Sequence, residues 1–161
     1  MRHVVSATGV TDEEAALDKQ AFQGWLDRYV EAWKTYDEKQ IGDLFSDDAE
    51  YRYHPQDEPF RGRAEIVKSW VEDKDDPDTY DAHYKPVAID GDVHVADGWS
   101  RYFNADGSTH DEYMNIYVCR FDDAGRCTEF TEYWIQNRDM RRRALDEMVS
   151  KAREPEGGAS T

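Results

Sequence analysis

The sequence predicts an α+β domain in which N-terminal helices pack on a curved antiparallel sheet and leave an aromatic pocket between them. Three observations support this prediction. Apolar residues recur every three or four positions in the first part of the chain, as on one face of a helix. Residues 80–136 form four extended segments separated by glycine-containing turns. Helices that precede a meander of strands are typical of the α+β class.

The composition limits the size and the partners of the protein. The 161 residues are 39% hydrophobic and 13% aromatic, which suits one folded domain and excludes a disordered chain. The formal net charge of −16 disfavours binding to nucleic acid and to anionic membranes. No apolar run approaches the roughly 18 residues of a membrane span. The N-terminus lacks the apolar stretch of a signal peptide, so we expect a cytoplasmic location.

Cap signals and apolar spacing predict three helices before the sheet. The first runs from a capping box at 11–14 to about residue 36, and the second covers 37–45. The third covers 63–73, and the acidic run 72–78 that follows it is typical of a solvated loop. The buried side of the second helix is expected to hold Ile41, Leu44 and Phe45.

Alternating residues and turn signals predict five strands and a last helix. The first strand covers 49–54, and the others cover 80–89, 92–103, 110–121 and 126–136. A basic helix is expected at about 138–152. The predicted organisation is a flexible arm at 1–10, one domain at 11–137, the basic helix at 138–153 and a disordered tail at 154–161.

The last predicted hairpin tells most about side-chain placement. If residues 122–125 form its loop, Phe121 lies opposite Arg126, and cross-strand partners share a face of the sheet. One face then mixes aromatic rings with one carboxylate and one amide, as ligand pockets often do. Its pairs are Tyr117 with Phe130, Asn115 with Glu132, and Tyr113 with Trp134.

The other face of this hairpin is also apolar, although the helices can cover only one face of the sheet. A second copy of the chain is the simplest cover, so we expect a homodimer through the outer face. The same pairing places Cys119 and Cys127 on opposite faces, which argues against a disulfide between them. The outer face is expected to hold Met114, Ile116, Val118, Tyr133 and Ile135.

Three stretches of the chain resemble the SnoaL-like branch of the nuclear transport factor 2-like (NTF2-like) superfamily. They contain LFSDDAEY, then the F-x-G-x-x-x-I of Phe60, Gly62 and Ile66, then RFDDAGR, in the expected order. The resemblance covers about residues 21–136. It implies a cone-shaped fold, in which a curved sheet wraps around a pocket that the helices close. It also implies dimerisation through the outer sheet face, as in many members.

The superfamily includes ketosteroid isomerases, polyketide cyclases, epoxide hydrolases, dehydratases and non-catalytic binders, so the fold alone leaves the function open. The isomerase tyrosine on the first helix is present as Tyr29. Tyr53 stands where the isomerases have their aspartate base, and Tyr117 where they have the aspartate of the oxyanion site. Steroid isomerisation is therefore disfavoured. Cyclase-like members place an acidic base on the last strand, facing the pocket, and Glu132 is the nearest counterpart here.

The leading hypothesis is a cofactor-free enzyme that isomerises, cyclises or dehydrates a hydrophobic carbonyl compound. Glu132 would be its general base, with a pKa raised toward neutrality by aromatic neighbours. Tyr29, Tyr117 and Asn115 would polarise the carbonyl group. Three alternatives stay open. Glu132 would be a structural carboxylate held by Asn115, Arg101 or a tyrosine hydroxyl, the tyrosines would be core residues, or the protein would be a non-catalytic binder or dimeric interaction module.

Further side chains are predicted to contact the ligand. His54 would shuttle protons at the pocket mouth or lie on the surface as an ordinary histidine. The tryptophans among these residues are equally compatible with a core role, and the sequence does not say which face of strand 92–103 lines the pocket. No metal site is predicted, because the histidines show no ligand spacing. The predicted ligand-binding residues are Trp33, Tyr51, Tyr53, His54, Trp70, Trp99, Tyr113, Asn115, Phe130 and Trp134.

Overall fold

The computed structural model describes residues 17–153 of the chain. The predicted arm at 1–10, the capping box at 11–14 and the tail at 154–161 lie outside the described residues. Within the described part, no helix is long and apolar enough to cross a membrane.

Three helices precede the main strands and one follows them: α1 (Lys19–Thr35), α2 (Glu38–Asp43), α3 (Arg63–Glu72) and α4 (Arg138–Arg153). The carboxylate of Asp18 caps α1 by accepting a hydrogen bond of 2.7 Å from the backbone N–H of Ala21. The prediction of one continuous helix from residue 11 is therefore wrong, because residues 17 and 18 are not helical. The second helix was also predicted too long, since Phe45 begins a strand.

Six strands form one curved sheet: β1 (Phe45–Arg52), β2 (Phe60–Arg61), β3 (Tyr80–Asp90), β4 (Val93–Phe103), β5 (Thr109–Phe121) and β6 (Cys127–Gln136). Their order in the sheet is β2-β1-β6-β5-β4-β3. Neighbouring strands are antiparallel except for β1 and β6, which run parallel. The predicted α+β fold, with N-terminal helices on a curved sheet, is confirmed. The two-residue strand β2 was not predicted.

The register of the β5–β6 hairpin differs by two residues from the predicted one. Tyr117 lies opposite Glu132 and Asn115 opposite Trp134. One residue of the shift comes from the loop, since Phe121 pairs with Cys127 rather than Arg126, and the other from a bulge next to Phe121. A shift of two residues leaves every side chain beyond the bulge on its predicted face, since strand side chains alternate with a period of two. The predicted partners were thus wrong, whereas the predicted membership of the inner face holds for residues 113–117 and 130–134.

The bulge changes the placement of the two cysteines. Cys127 lies opposite Phe121, and both cysteines are buried in the core, so the prediction of opposite faces is wrong. Both thiols are free, and the Cys127 thiol donates to the carbonyl oxygen of Glu129 at 3.1 Å. Burial raises the pKa of the Cys119 thiol well above its usual range, so this group stays protonated.

Helix α1 packs its apolar stripe against the inner face of the sheet. Trp25 is fully buried and contacts Phe121 and Phe130 with ring centroids 5.2 and 6.4 Å apart. These rings fill the space under one half of the helix. The stripe is formed by Phe22, Trp25, Leu26, Tyr29 and Ala32. The other half of the helix covers a cavity.

Strand β4 turns its even-numbered residues inward, which resolves the question that the sequence left open. Gly98 lies in the middle of this strand, opposite Tyr84 of β3 and Asn115 of β5. A Cβ atom added to Gly98 would lie 2.1 Å from the carbonyl oxygen of His83. Any side chain at this position would therefore clash with β3, and glycine lets the two strands lie this close together.

Candidate functional site

A cavity of about 560 Å³ lies between the helices and the inner face of the sheet. This volume is within the range of small-molecule sites. Helices α1 and α3 and all the long strands contribute to its wall, which is mainly aromatic with hydroxyl and carboxylate groups as polar elements. The lining residues are Tyr29, Trp33, Tyr36, Tyr51, Tyr53, Phe60, Ser69, Trp70, Glu72, Asp73, Asp75, Tyr84, Tyr102, Tyr117 and Glu132.

The carboxyl group of Glu132 on β6 lines this cavity beside Tyr117, its partner on β5. Its Oε1 accepts a hydrogen bond of 2.5 Å from Nδ2 of Asn115, and Oδ1 of Asn115 accepts one of 3.3 Å from the hydroxyl of Ser100. Burial raises the pKa of Glu132 from its usual 4.5 to about 7, and the bond from Asn115 opposes the rise. A group with this pKa can accept or release a proton near neutral pH.

No ion pair holds Glu132 among the described residues. Arg101, one of the alternative partners considered from the sequence, points to the outer face of the sheet. Its Nε donates to Oε2 of Glu112 at 2.5 Å, and its guanidinium lies 4.2 Å from the ring centroid of Trp99. Of the structural partners that the sequence suggests for Glu132, Asn115 is the one that forms a hydrogen bond with it within residues 17–153.

Tyr29 and Tyr51 form a hydroxyl pair in the cavity wall, 2.7 Å apart. Both rings stack on Phe130, with centroids 5.4 and 4.6 Å from it, which fixes their orientation. Burial raises the pKa of Tyr29, Tyr51 and Tyr117 well above the usual range. These hydroxyls therefore stay protonated at neutral pH. One hydroxyl of the Tyr29–Tyr51 pair donates to the other, which leaves the second member of the pair and Tyr117 as hydrogen-bond donors for a ligand.

Three further tyrosines of the wall were not predicted as site residues: Tyr84, Tyr102 and, at the mouth, Tyr36. Tyr84 of β3 lies with its ring centroid 4.3 Å from that of Tyr117, and Tyr102 of β4 closes the adjacent side. Burial raises the pKa of both. Alternation places Tyr80, Ala82 and Tyr84 on one face of β3, but the sequence alone does not show that this face is the inner one.

The mouth of the cavity combines aromatic rings with acidic side chains. Oδ2 of Asp75 accepts hydrogen bonds from Nε1 of Trp33 at 2.9 Å and from the hydroxyl of Tyr36 at 3.2 Å. The backbone N–H of Asp75 donates to the same hydroxyl at 2.9 Å. This ties the loop after α3 to the end of α1, while Glu72 and Asp73 are exposed beside it. The predicted solvated loop thus also forms part of the mouth.

The predicted site residues fall into two groups in the structure. Glu132, Tyr29, Tyr117, Trp33, Tyr51, Tyr53 and Trp70 line the cavity. Asn115 lies behind Glu132, and Phe130 lies behind the tyrosine pair, so both support the wall without lining it.

The remaining predicted site residues lie outside the cavity. Trp99 points to the outer face, because β4 turns its even-numbered residues inward. Trp134 is 44% exposed and packs against His54 and Tyr113, with centroids 5.8 and 5.5 Å away. His54 and Tyr113, which were also predicted to contact the ligand, likewise do not line the cavity.

His94 is a core histidine. It is fully buried, and its ring nitrogens lie 3.0 Å from the carbonyl oxygen of Asp92 and 2.8 Å from that of Leu17. Within residues 17–153, no group of three or more histidine, cysteine, aspartate or glutamate side chains is arranged to hold a metal ion.

Replacing Asn115 with alanine is expected to raise the pKa of Glu132 above about 7, because the variant removes the hydrogen bond to the carboxylate. The free energy of unfolding should fall by about 1–3 kcal/mol, since Ser100 also loses its partner. Side-chain NMR titration and urea unfolding measure the two effects. Asn104→Ala, in an exposed turn, is the control. An unchanged Glu132 pKa in Asn115→Ala would contradict the assigned role.

Comparisons with known proteins agree with this architecture. The family model described as "SnoaL-like domain" matches residues 26–130. An NTF-2 like protein from Burkholderia xenovorans LB400 has a similar crystal structure, with a TM-score of 0.55 and 16% identity over 71% of this chain and 83% of that one. An NTF2-like protein from Cytophaga hutchinsonii ATCC 33406 gives a TM-score of 0.52 and 16% identity, covering 70% and 98%. No curated protein matches the chain.

Proposed function

The chain belongs to the SnoaL-like domain family, and from this premise we propose that its cavity transforms a hydrophobic carbonyl compound by general acid–base chemistry without a cofactor. A small-molecule pocket is what this fold supports. The single observation that carries the proposed chemistry is the carboxyl group of Glu132, which lines an aromatic cavity and has a pKa of about 7. Half of such groups are ionised at neutral pH, so both the base and its conjugate acid are available.

The proposed reaction begins with proton transfer from the carbon next to the carbonyl group to the Glu132 carboxylate. The electrons of the broken C–H bond move toward the carbonyl oxygen, and the hydroxyls of Tyr29 and Tyr117 donate to the developing enolate. Asn115 acts as a positioning residue, because both ends of its amide already bond to protein groups. This differs from the carbonyl contact that the sequence suggests for it.

The fate of the enolate decides the overall reaction. Return of the proton from Glu132 to a different carbon gives isomerisation. Departure of a neighbouring hydroxyl, which takes that proton and leaves as water, gives dehydration. Attack of the enolate carbon on a second carbonyl carbon of the same molecule forms an alkoxide, which takes the proton back from Glu132, and gives cyclisation. All three need one base and hydrogen-bond donors, and none needs an added oxidant or reductant.

Glu132→Gln is expected to slow hydrogen–deuterium exchange at the carbon next to the carbonyl by about 100-fold or more, since a general base typically contributes that much. NMR follows this exchange in a panel of polyketide-like and steroid-like ketones. Glu129→Gln is the matched control, because Glu129 is exposed on the same strand. Equal exchange rates in Glu132→Gln and in the unaltered protein would rule out the base role.

The alternative is a non-catalytic ligand-binding protein or a dimeric interaction module. The hydrogen bond from Asn115 favours it, because a held carboxylate also suits the orientation of a ligand. Tyr53 and Tyr117, which replace two aspartates of the isomerases, favour it as well. In that case Glu132→Gln would change ligand affinity modestly, and no ketone of the panel would exchange or react.

We also propose that the chain forms a homodimer through the outer face of the sheet. Met114, Ile116, Tyr133 and Ile135 are 52%, 40%, 46% and 74% exposed there, an apolar area that single proteins rarely leave in water. They lie on the two neighbouring strands β5 and β6, with Met114 opposite Ile135 and Ile116 opposite Tyr133.

Ile135→Lys is expected to convert this dimer into a monomer, because a lysine would be buried there without a partner. Sedimentation velocity at micromolar concentration measures the change in mass. Val87→Lys is the control, since Val87 is a 50% exposed residue of β3, away from β5 and β6. A monomeric mass for the unaltered protein would overturn the dimer.

A further inference from the structure

The charged groups in the cavity wall all have the same sign. Glu132 lies inside, and Glu72, Asp73 and Asp75 lie at the mouth. Among the described residues that line the cavity there is no lysine, arginine or histidine. Two lysines lie beside the mouth: Lys68 pairs with Glu72 at 3.8 Å, and Lys74 lies 5.5 Å from the ring centroid of Tyr36. They balance part of the charge at the mouth but not the charge of Glu132 inside, so the interior favours a cation over an anion.

Glu132 is the carboxylate that the protein leaves incompletely satisfied. Its Oε1 accepts the hydrogen bond from Asn115, while within residues 17–153 its Oε2 accepts none and no cationic side chain pairs with it. The acids at the mouth differ, since Glu72 and Asp73 are exposed to water and Asp75 is held by Trp33 and Tyr36. Folding removes the Glu132 charge from water, and this costs free energy. A cation bound beside the carboxylate would offset part of that free-energy cost.

Aromatic rings surround this carboxylate on several sides. They belong to five different elements, α1, β1, β3, β4 and β5, so a ligand beside Glu132 would lie next to aromatic side chains from several elements. Ring faces attract cations, and the attraction is strongest where water is excluded. The titratable groups that face Glu132 are Tyr29, Tyr51, Tyr53, Tyr84, Tyr102 and Tyr117. Burial keeps these hydroxyls protonated, so they are uncharged and Glu132 is the charged group among them.

We propose that the ligand of this cavity is a hydrophobic amine, bound as its ammonium form between the Glu132 carboxylate and the surrounding tyrosine rings. The inference rests on the cavity being the ligand site of the proposed function. It narrows the substrate class to a carbonyl compound that carries a basic nitrogen. An ammonium group close by lowers the pKa of Glu132 below the value of about 7 in the free protein, so the bound carboxylate is mostly in the ionised form, which is the form that accepts a proton.

Isothermal titration calorimetry with three probes of one shape tests this inference. The probes are naphthylethylamine, naphthylethanol and naphthylacetate, which are cationic, neutral and anionic near neutral pH. We expect the amine to bind about tenfold or more tighter than the alcohol, and the acid more weakly than either. Near pH 7 the amine should also displace about half a proton from Glu132, which titrations in two buffers of different ionisation enthalpy reveal.

Glu132→Gln should abolish both the preference for the amine and the proton release while the alcohol still binds, and the surface control Glu129→Gln should change neither. Equal affinities for amine and alcohol in the unaltered protein would overturn the inference, as would an amine preference that survives in Glu132→Gln. Neither result affects the proposed reaction, which fails separately if ketone exchange is independent of Glu132. Absence of binding by all three probes would reject the cavity as the site of either role.

Discussion

Glu132→Gln is expected to stabilise the fold by about 3 kcal/mol near pH 8, even though it removes the proposed catalytic base. Folding raises the pKa of this carboxyl group from 4.5 to about 7. Each pH unit between two such values corresponds to about 1.4 kcal/mol. Glutamine has the same shape, accepts the bond from Asn115 and carries no charge to desolvate, so it avoids this cost.

The sign of the pH dependence follows from the raised pKa. Below about pH 4.5 the carboxyl group is protonated in both the folded and the unfolded chain, and its ionisation contributes nothing to stability. Between about 4.5 and 7 the unfolded chain ionises first, so the folded state loses stability as the pH rises. Above about pH 7 the carboxyl group is ionised in both states, and the folded state bears the full free-energy cost of the buried charge. The benefit of glutamine should therefore shrink to about 1 kcal/mol near pH 5.5.

Urea unfolding followed by tryptophan fluorescence, at about pH 5.5 and about pH 8, measures these differences. Glu129→Gln should stay within about 0.5 kcal/mol of the unaltered protein at both values, as exposed substitutions usually do. If Glu132→Gln is less stable than the unaltered protein at about pH 8, the carboxylate is stabilised by the fold and the account of its raised pKa fails.

Gly98→Ala is expected to lower the free energy of unfolding by about 3 kcal/mol or more. The added Cβ would lie 2.1 Å from the carbonyl oxygen of His83 and 2.8 Å from the Cα of Tyr84. Both are backbone atoms of β3, so neither can move without separating the two strands. The displacement would also shift Tyr84 in the cavity wall and Asn115, the residue opposite Gly98 on β5.

Gly24→Ala is the matched control for this substitution. Gly24 lies inside α1, and an added Cβ would lie 3.8 Å from the end of the Arg28 side chain. Alanine there should be neutral or stabilise the helix by about 0.5–1 kcal/mol. Thermal or urea unfolding compares the two variants. A Gly98→Ala protein as stable as the unaltered one would show that β3 and β4 tolerate a wider separation than the structure has.

The inner face of the β5–β6 hairpin was largely predictable, because strand side chains alternate whatever the exact pairing. Tyr117 and Glu132 share that face under both the predicted and the observed register. The pairing itself was not predictable, since it depends on the exact length of the loop and on a bulge next to Phe121. The same bulge explains why Cys127 lies in the core.

The other walls of the cavity depend on contacts between distant parts of the chain. Tyr84 and Tyr102 lie on strands whose alternation is evident, yet which face turns inward is decided by their pairing with β5. The parallel pairing of β1 with β6 joins residues about 80 positions apart, and no local pattern indicates it. Asp75 is held at the mouth by hydrogen bonds from Trp33 and Tyr36. The acidic sequence of its loop predicts only a solvated segment and gives no sign of these contacts.

The base role and the ammonium site both depend on the pKa of Glu132 in the folded protein, which a titration of this side chain gives. NMR of isotope-labelled glutamate side chains, with the Glu132→Gln spectrum to assign the signal, gives the pKa of this one carboxyl group in the folded protein. The structure predicts a value of about 7, because burial in the aromatic cavity outweighs the bond from Asn115. A value near 4.5 would show a solvated carboxylate, and would contradict both the proposed base and the proposed ammonium site.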